Sequence, residues 1–173
     1  RVVYVGRLSY GRGVAELIEV ARRLRPSVEV VVVGDADREV AELLAGADSA
    51  GDVRWTGPLP NPEAMAVVVG ALAGLSLLHP EPNYVHSLPT KLMEYLGHGV
   101  PVVTTPLPLA AELVTASGGG AVVDYFDVDS CVRQIRAWQD DPESHRRTAK
   151  SGYTYVEQHH NWTRDAQLFI AHL

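Results

Sequence analysis

Arg1-Val2-Val3-Tyr4-Val5-Gly6-Arg7-Leu8-Ser9-Tyr10-Gly11-Arg12-Gly13 opens the chain, and the fold is decided by what this stretch leads into. Val2 to Val5 is a short apolar run ending at a glycine, the pattern of a buried strand. Residues Gly13 to Leu24 follow with Val14, Leu17, Ile18, Ala21 and Leu24 at helical spacing. Pro26 stops that helix, because proline lacks the amide hydrogen a helix needs. Val28 to Val33 is a second apolar run, closed by Gly34. Strand, helix, strand in so short a span is a βαβ unit, and it places two parallel strands side by side.

The same alternation continues outward. The sequence predicts a helix over Asp37 to Ala45 closed by Gly46, and a strand over Val53 to Thr56 ending at Gly57-Pro58. Asn61 is placed to cap a helix with Pro62 and Glu63 in its first turn, running to about Ala73. A strand is predicted over Leu75 to Leu78, a helix over Pro89 to Gly97, and a strand over Val100 to Thr104. A short helix over Leu109 to Val114 leads to a strand over Ala121 to Asp124. The remainder reads as helix over Asp129 to Gln139, Pro142 to Gln158 and Thr163 to Leu173, with Trp162, Leu168 and Phe169 as apolar anchors. Six strands separated by helices imply one α/β domain over residues 1–173. The expected architecture is a doubly wound, Rossmann-like, six-stranded parallel sheet with helices on both faces. Ligands of such a sheet bind beyond the carboxyl ends of its strands, so the informative loops follow Val5, Val33, Thr56, Leu78 and Thr104.

Composition narrows the function classes. The 173 residues are 46% hydrophobic, enough for a sizeable core. A net charge of −6 gives no overall attraction to nucleic acid or to an anionic membrane. Cys131 is the only cysteine, so no intrachain disulfide forms, which suits a reducing compartment. No apolar run approaches the roughly 20 residues of a membrane helix. The chain begins on a core strand without a methionine, and the expectation is a piece of a longer polypeptide with a further domain upstream.

In the first loop, Gly6, Gly11 and Gly13 let backbone approach a ligand, and Arg7 and Arg12 offer permanently charged forked donors. With a helix N-terminus behind them the combination suits a diphosphate. Two surface arginines in a flexible turn give the same residues. The dinucleotide fingerprint G-x-G-x-x-G is absent, although Asp35 follows the second strand. In the second loop, Ser87 or Leu88 stands at the cap of the helix that begins with Pro89. The amides of Thr90 and Lys91 then point out of a positive helix end, an anion site. Glu94 lies one turn deeper, where its carboxylate accepts hydrogen bonds from a diol such as ribose. A plain surface ion pair between Lys91 and Glu94 is the structural alternative. His79, His86 and His98 lack the spacing of a metal motif, and no metal is expected.

These residues carry a resemblance. Gly6-Arg7-Leu8 with Arg12 and Gly13 resembles the first loop of GT4-type glycosyltransferases, G-R-L-x-x-x-K-G. Pro89-Thr90-Lys91-Leu92-Met93-Glu94-Tyr95, followed by Gly99-Val100-Pro101-Val102-Val103, is similar to the family's donor helix and next strand. Gly34, Gly57, Glu112-Leu113-Val114 and Trp162 fall where the family has matching residues. The resemblance covers nearly the whole chain, as the C-terminal, donor-binding half of a GT-B fold. It implies transfer of a hexose-type sugar from a UDP or GDP sugar to an acceptor with retention of configuration, and no metal or other cofactor. The acceptor, a glycan, lipid or small molecule of cell-surface polysaccharide or glycoconjugate synthesis, would bind a missing N-terminal domain. The isolated domain is then expected to bind donor without turnover.

In that frame Arg7 and Arg12 neutralise the donor diphosphate, and Glu94 takes the ribose hydroxyls. Thr90 and Lys91 offer amides to phosphate or sugar oxygens, with Gly6, Gly34, Ser87 and Leu88 beside the donor. Backbone at Gly57, Pro58 and Leu59 recognises the base. Two departures stand out: Arg12 replaces the usual lysine, and His86 occupies the place of a second glutamate. His86 contacts sugar or phosphate instead, or is an ordinary loop histidine. The expected location is cytoplasmic, peripheral to the inner membrane face through the missing domain. The rival functions are a sugar-nucleotide 2-epimerase, which shares the architecture, and a nucleotide-binding module without chemistry. A nicotinamide-dependent dehydrogenase is disfavoured by the missing fingerprint.

Overall fold

In a computed structural model, residues 1–160 form a single six-stranded sheet in the order β3-β2-β1-β4-β5-β6, every neighbouring pair parallel. The strands are β1 (Val2–Val5), β2 (Val30–Val33), β3 (Arg54–Trp55), β4 (Ala73–Ser76), β5 (Val102–Thr104) and β6 (Gly120–Val122). The helices are α1 (Val14–Leu24), α2 (Arg38–Ser49), α3 (Asn61–Val68), α4 (Pro82–Val85), α5 (Thr90–Gly97), α6 (Pro108–Ser117), α7 (Val128–Asp140) and α8 (Pro142–His159). A 3₁₀ turn, Tyr10–Arg12, precedes α1. Residues 161–173, with the expected Trp162, Leu168 and Phe169 anchors and the Thr163 to Leu173 helix, lie outside the described residues.

Alternating side chains of the strands build two cores. Val2, Tyr4, Val30 and Val32 pack with α1, α2 and α7 on one face. Val3, Val31 and Val33 pack with α3, α5 and α6 on the other. This is the doubly wound arrangement, with apolar strands covered on both sides. The strand order reverses between β1 and β4, so the crevice that receives ligands in such sheets opens between the loops after those two strands.

Element boundaries differ from the sequence reading at several points. Helix α2 does not close at Gly46 but runs on to Ser49, because Leu44 and Ala47 on its inner face are both buried. Its turn-off is at Gly51, whose φ of 70° is left-handed. Helix α3 stops at Val68 rather than near Ala73. Gly70, with φ 73°, turns the chain, and Ala73 already begins β4. Asn61 is the first residue of α3 and Pro60 the cap. Strand β4 accordingly sits two residues earlier than predicted, leaving Leu77 and Leu78 in the loop but buried. Pro89 is the cap of α5, with Ser87 and Leu88 ahead of it. The short α4 and the 3₁₀ turn lie in stretches read as loop.

Candidate functional site

The tips of the central strands are tied together before any side chain is considered. The Gly6 amide donates to Val33 O at 2.9 Å, and the Gly34 amide donates to Gly57 O at 2.9 Å. Gly34 has φ 143°, and a Cβ there would collide with the Gly6 carbonyl oxygen. The carbonyl of Gly34 accepts from Trp55 Nε1 at 3.0 Å. Gly6, Gly34 and Gly57 thus form a chain of backbone contacts across β1, β2 and the exit of β3, with Leu59 packing on the second core. Pro58 is exposed.

The loop after β1 is fastened to the loop after β4. Gly11 O accepts from the His79 amide at 2.9 Å. Gly13 has φ 77°, and a side chain there would run into the Leu77 backbone. The Glu81 carboxylate lies against Gly11, where any side chain would displace it. This junction sits at the switch point of the sheet, and beside it is a cavity of about 350 Å³. Its walls include Arg12, Tyr84, Ser87, Leu88, Thr90 and Lys91. Arg12 reaches it from the 3₁₀ turn, Tyr84 from α4, and Thr90 and Lys91 from the first turn of α5.

Arg12 is held by several contacts, a hydrogen bond with the Tyr4 side chain among them. Its Nη1 donates to the Arg7 carbonyl oxygen at 3.3 Å, its Nε to the Tyr84 hydroxyl at 3.4 Å, and its guanidinium lies 5.6 Å from the Tyr84 ring centroid. The Arg7 carbonyl also accepts from the Tyr4 hydroxyl at 2.9 Å. The Tyr4 phenol is pushed up to about 12, chiefly by burial, so it stays a neutral donor.

Lys91 is buried although it carries an amine. Its Nζ stands 3.6 Å from the Tyr4 ring centroid and has no hydrogen-bond partner among the described residues. Burial, reinforced by the Arg12 charge and opposed by Glu94, pushes this lysine down to about 7. A Cβ on Gly6 would approach Nζ to 3.3 Å, so the glycine leaves room for the ammonium head. Tyr95, on the same helix, accepts the Val5 amide at 2.7 Å through its hydroxyl and anchors α5 to β1.

Other expected site residues lie elsewhere. The Arg7 guanidinium does not line the cavity. It pairs with Asp37 and, at 3.5 Å, with Asp35, both beyond β2. Glu94 is half-buried one turn into α5 and does not line the cavity. His86 is exposed at the end of α4. His79 Nε2 faces Glu16 at 3.2 Å, and His98 Nδ1 meets Glu94 O at 2.7 Å, so the three histidines serve separate places. Among the described residues no group of three potential ligands could hold a metal ion. Tyr4 and Tyr84 are the site residues that sequence reasoning missed. Tyr84 lies within the loop already singled out, and its aromatic ring between a proline turn and the Pro89 helix was the available signal.

The arrangement is chemically an anion receiver. It joins a guanidinium, a buried amine and the amides of Thr90 and Lys91 at the start of a helix around one opening. No described helix is long and apolar enough to cross a membrane.

Comparison with known proteins agrees with the fold. The family model described as Glycosyl transferases group 1 matches residues 1–155. A glycogen synthase of Mycobacterium tuberculosis is 26% identical over 179 residues, covering 98% of this chain and 42% of the synthase. The chain therefore spans less than half the length of that relative. The C-terminal domain of a glycosyl transferase group 1 family protein, LpcC, from Francisella tularensis superposes with a TM-score of 0.75 at 17% identity, covering 93% of this chain and 86% of that one. The Anabaena protein Alr3699/HepE, solved in complex with UDP, superposes with a TM-score of 0.78 at 19% identity, covering 99% of this chain and 49% of that one. At such identities the likeness concerns the fold, the C-terminal domain of the GT-B type.

Proposed function

The chain belongs to the family of group 1 glycosyl transferases, and from that premise we propose that it is the donor-binding domain of a retaining enzyme that uses a nucleoside-diphosphate sugar. The observation that carries this reading is the convergence of Arg12 and the first turn of α5 on one cavity at the switch point of the sheet. Arg12 receives the diphosphate and stabilises its charge as the sugar bond breaks. The amides of Thr90 and Lys91, at the N-terminus of α5, take phosphate or sugar oxygens. Glu94 takes the ribose hydroxyls, and backbone at Gly57, Pro58 and Leu59 faces the base. Arg7 contributes to the diphosphate only by leaving Asp35 and Asp37; otherwise it fixes the first loop to the β2 exit.

Supporting the choice of donor, structural neighbours of this fold were solved with UDP and with UDP-glucose. The acceptor, a glycan, lipid or small molecule, belongs to a second domain, since the curated relatives are more than twice as long as this chain. The cationic site does the electrostatic work that a metal would otherwise do. Calorimetry with UDP and with GDP tests the site. Binding of one of them, weakened strongly by Arg12→Ala, is the expected result. No binding of either nucleotide to the folded chain would remove the donor-site reading.

A further inference from the structure

Lys91 carries an unmet requirement. The residue is 8% exposed, and its Nζ finds no hydrogen-bond partner among the described residues, although an ammonium offers three donors. Helix α5 packs on the face of the sheet that holds Val3, whereas Tyr4 belongs to the opposite core. The lysine stem therefore crosses the tip of β1 beside Gly6, and its head rests on the Tyr4 ring. Of the groups around it, Arg12 in the 3₁₀ turn is a like charge and Tyr4 in β1 is neutral. Tyr84 in α4 is engaged with Arg12. Among the described residues, Glu94 on its own helix is the opposite charge acting on it and forms no hydrogen bond with Nζ. In the loop after β4, Glu81 lies on Gly11 and His79 faces Glu16. A charge in such a niche is costly, and the Tyr4 ring face and the field of Glu94 offset it without supplying a hydrogen bond.

We propose that Lys91 is a retracted second cation of the diphosphate site: when the donor binds, its stem swings Nζ out of the Tyr4–Gly6 niche to a phosphate oxygen, and the amine takes up one proton from solvent. The inference rests on the donor-site reading above. It assigns a role to the side chain, distinct from the helix amides. The stem starts at the first turn of α5, and Lys91 lines the cavity wall, so the movement asked of it is one of side-chain torsions. The arriving diphosphate supplies the opposite charge that Arg12 denies the amine in the empty site. The proton comes from water or buffer and ends on Nζ; no other bond is made or broken. A lysine that merely fills the niche would stay where it is and exchange no proton.

Calorimetry of UDP and GDP binding to the chain, at about pH 8 in two buffers of different ionisation enthalpy, reads the proton directly. At that pH a group titrating near 7 is about nine-tenths deprotonated, while the terminal phosphate, with a second ionisation near 6, is already charged. Wild type should take up about 0.9 proton per nucleotide, and its affinity should fall by up to roughly fifty-fold from about pH 7 to about pH 9. Lys91→Met should take up essentially none and show a flat profile. Wild-type binding heats that are the same in both buffers would overturn the inference and leave the donor site standing. Equal uptake by Lys91→Met would do the same. If Lys91→Met fails to fold by circular dichroism, the wild-type buffer comparison decides alone. Absence of any binding by wild type would remove the donor site and this inference together.

Discussion

The Nζ of Lys91 lies 3.6 Å from the centroid of the Tyr4 ring, while the hydroxyl of the same tyrosine donates to the Arg7 carbonyl that also accepts from Arg12. One buried side chain thus underpins both cations of the cavity. Tyr4→Phe keeps the ring and loses the hydroxyl's hydrogen bonds with the Arg7 carbonyl and the Arg12 side chain, so a stability loss of about 1 kcal/mol is expected. Tyr4→Leu removes the ring as well, and a loss of about 2–4 kcal/mol is expected from the space left in the core. Urea unfolding of both variants checks the ordering. Equal losses would mean that the ring contributes nothing beyond its hydroxyl.

The two arginines of the first loop should behave unequally. Arg12 lines the cavity, and a charge-assisted hydrogen bond to phosphate is worth about 1.5–3 kcal/mol. Arg12→Ala should therefore weaken nucleotide binding by roughly 10- to 100-fold. Arg7 is engaged with Asp35 and Asp37, so Arg7→Ala should cost much less, and Asp35→Asn with Asp37→Asn should tighten binding by freeing the guanidinium. Calorimetric dissociation constants for the three variants separate these outcomes. A loss in Arg7→Ala as large as in Arg12→Ala would mean that Arg7 leaves its carboxylates when the nucleotide arrives.

What the sequence revealed follows from which forces are local. The apolar run Val2 to Val5, the helical spacing of Val14 to Leu24 and the run ending at Val33 are local signals strong enough to specify strand, helix and strand. Six such alternations gave the sheet and its parallel sense. Gly6, Gly34 and Gly97 mark the ends read there, but two other glycines misled: Gly46 was taken for a stop and Gly70 was passed over. Gly46 is simply carried inside α2 because Leu44 and Ala47 on either side of it are buried, whereas Gly70 turns the chain. At the site, Arg12, Ser87, Leu88, Thr90 and Lys91 were legible because loops after parallel strands converge at one edge. The pairing of Arg7 with Asp35 and Asp37 was not, since it depends on how the β2 exit lies beside the β1 exit. Tyr4 read as core, which it is. Its second role appears only when α5 sends Lys91 around the tip of β1.

Two glycines of similar appearance in the sequence should respond oppositely to alanine. Gly46 lies inside α2, and a Cβ there meets nothing within 4 Å. Gly46→Ala should stabilise the protein by about 0.5–1 kcal/mol through helix propensity. Gly13 has φ 77°, and its Cβ would strike the Leu77 carbonyl. Gly13→Ala should cost more than about 2 kcal/mol and loosen the junction between the loops after β1 and β4. Thermal unfolding of the pair provides the check. A neutral Gly13→Ala would mean that the junction can open without loss.

Burial of Lys91 makes stability depend on pH in a definite direction. In the unfolded chain this lysine titrates near its ordinary 10.5, and in the folded protein near 7. Between those values the unfolded chain holds a proton that the folded protein lacks, so raising the pH favours folding by up to about 1.4 kcal/mol per pH unit. Below about 7 both states carry the proton and the cost of the buried charge is fully present; above about 10.5 neither does and the cost is gone. Lys91→Met has no such cost, so it should be more stable than wild type near pH 7, and its advantage should shrink as the pH rises toward 10. Urea unfolding of both proteins at about pH 7, 8 and 9, without nucleotide, measures the difference at each point. Because other groups titrate alike in the two proteins, only the difference matters. A difference that stays constant across that range would mean that Lys91 loses its proton at the same pH folded and unfolded.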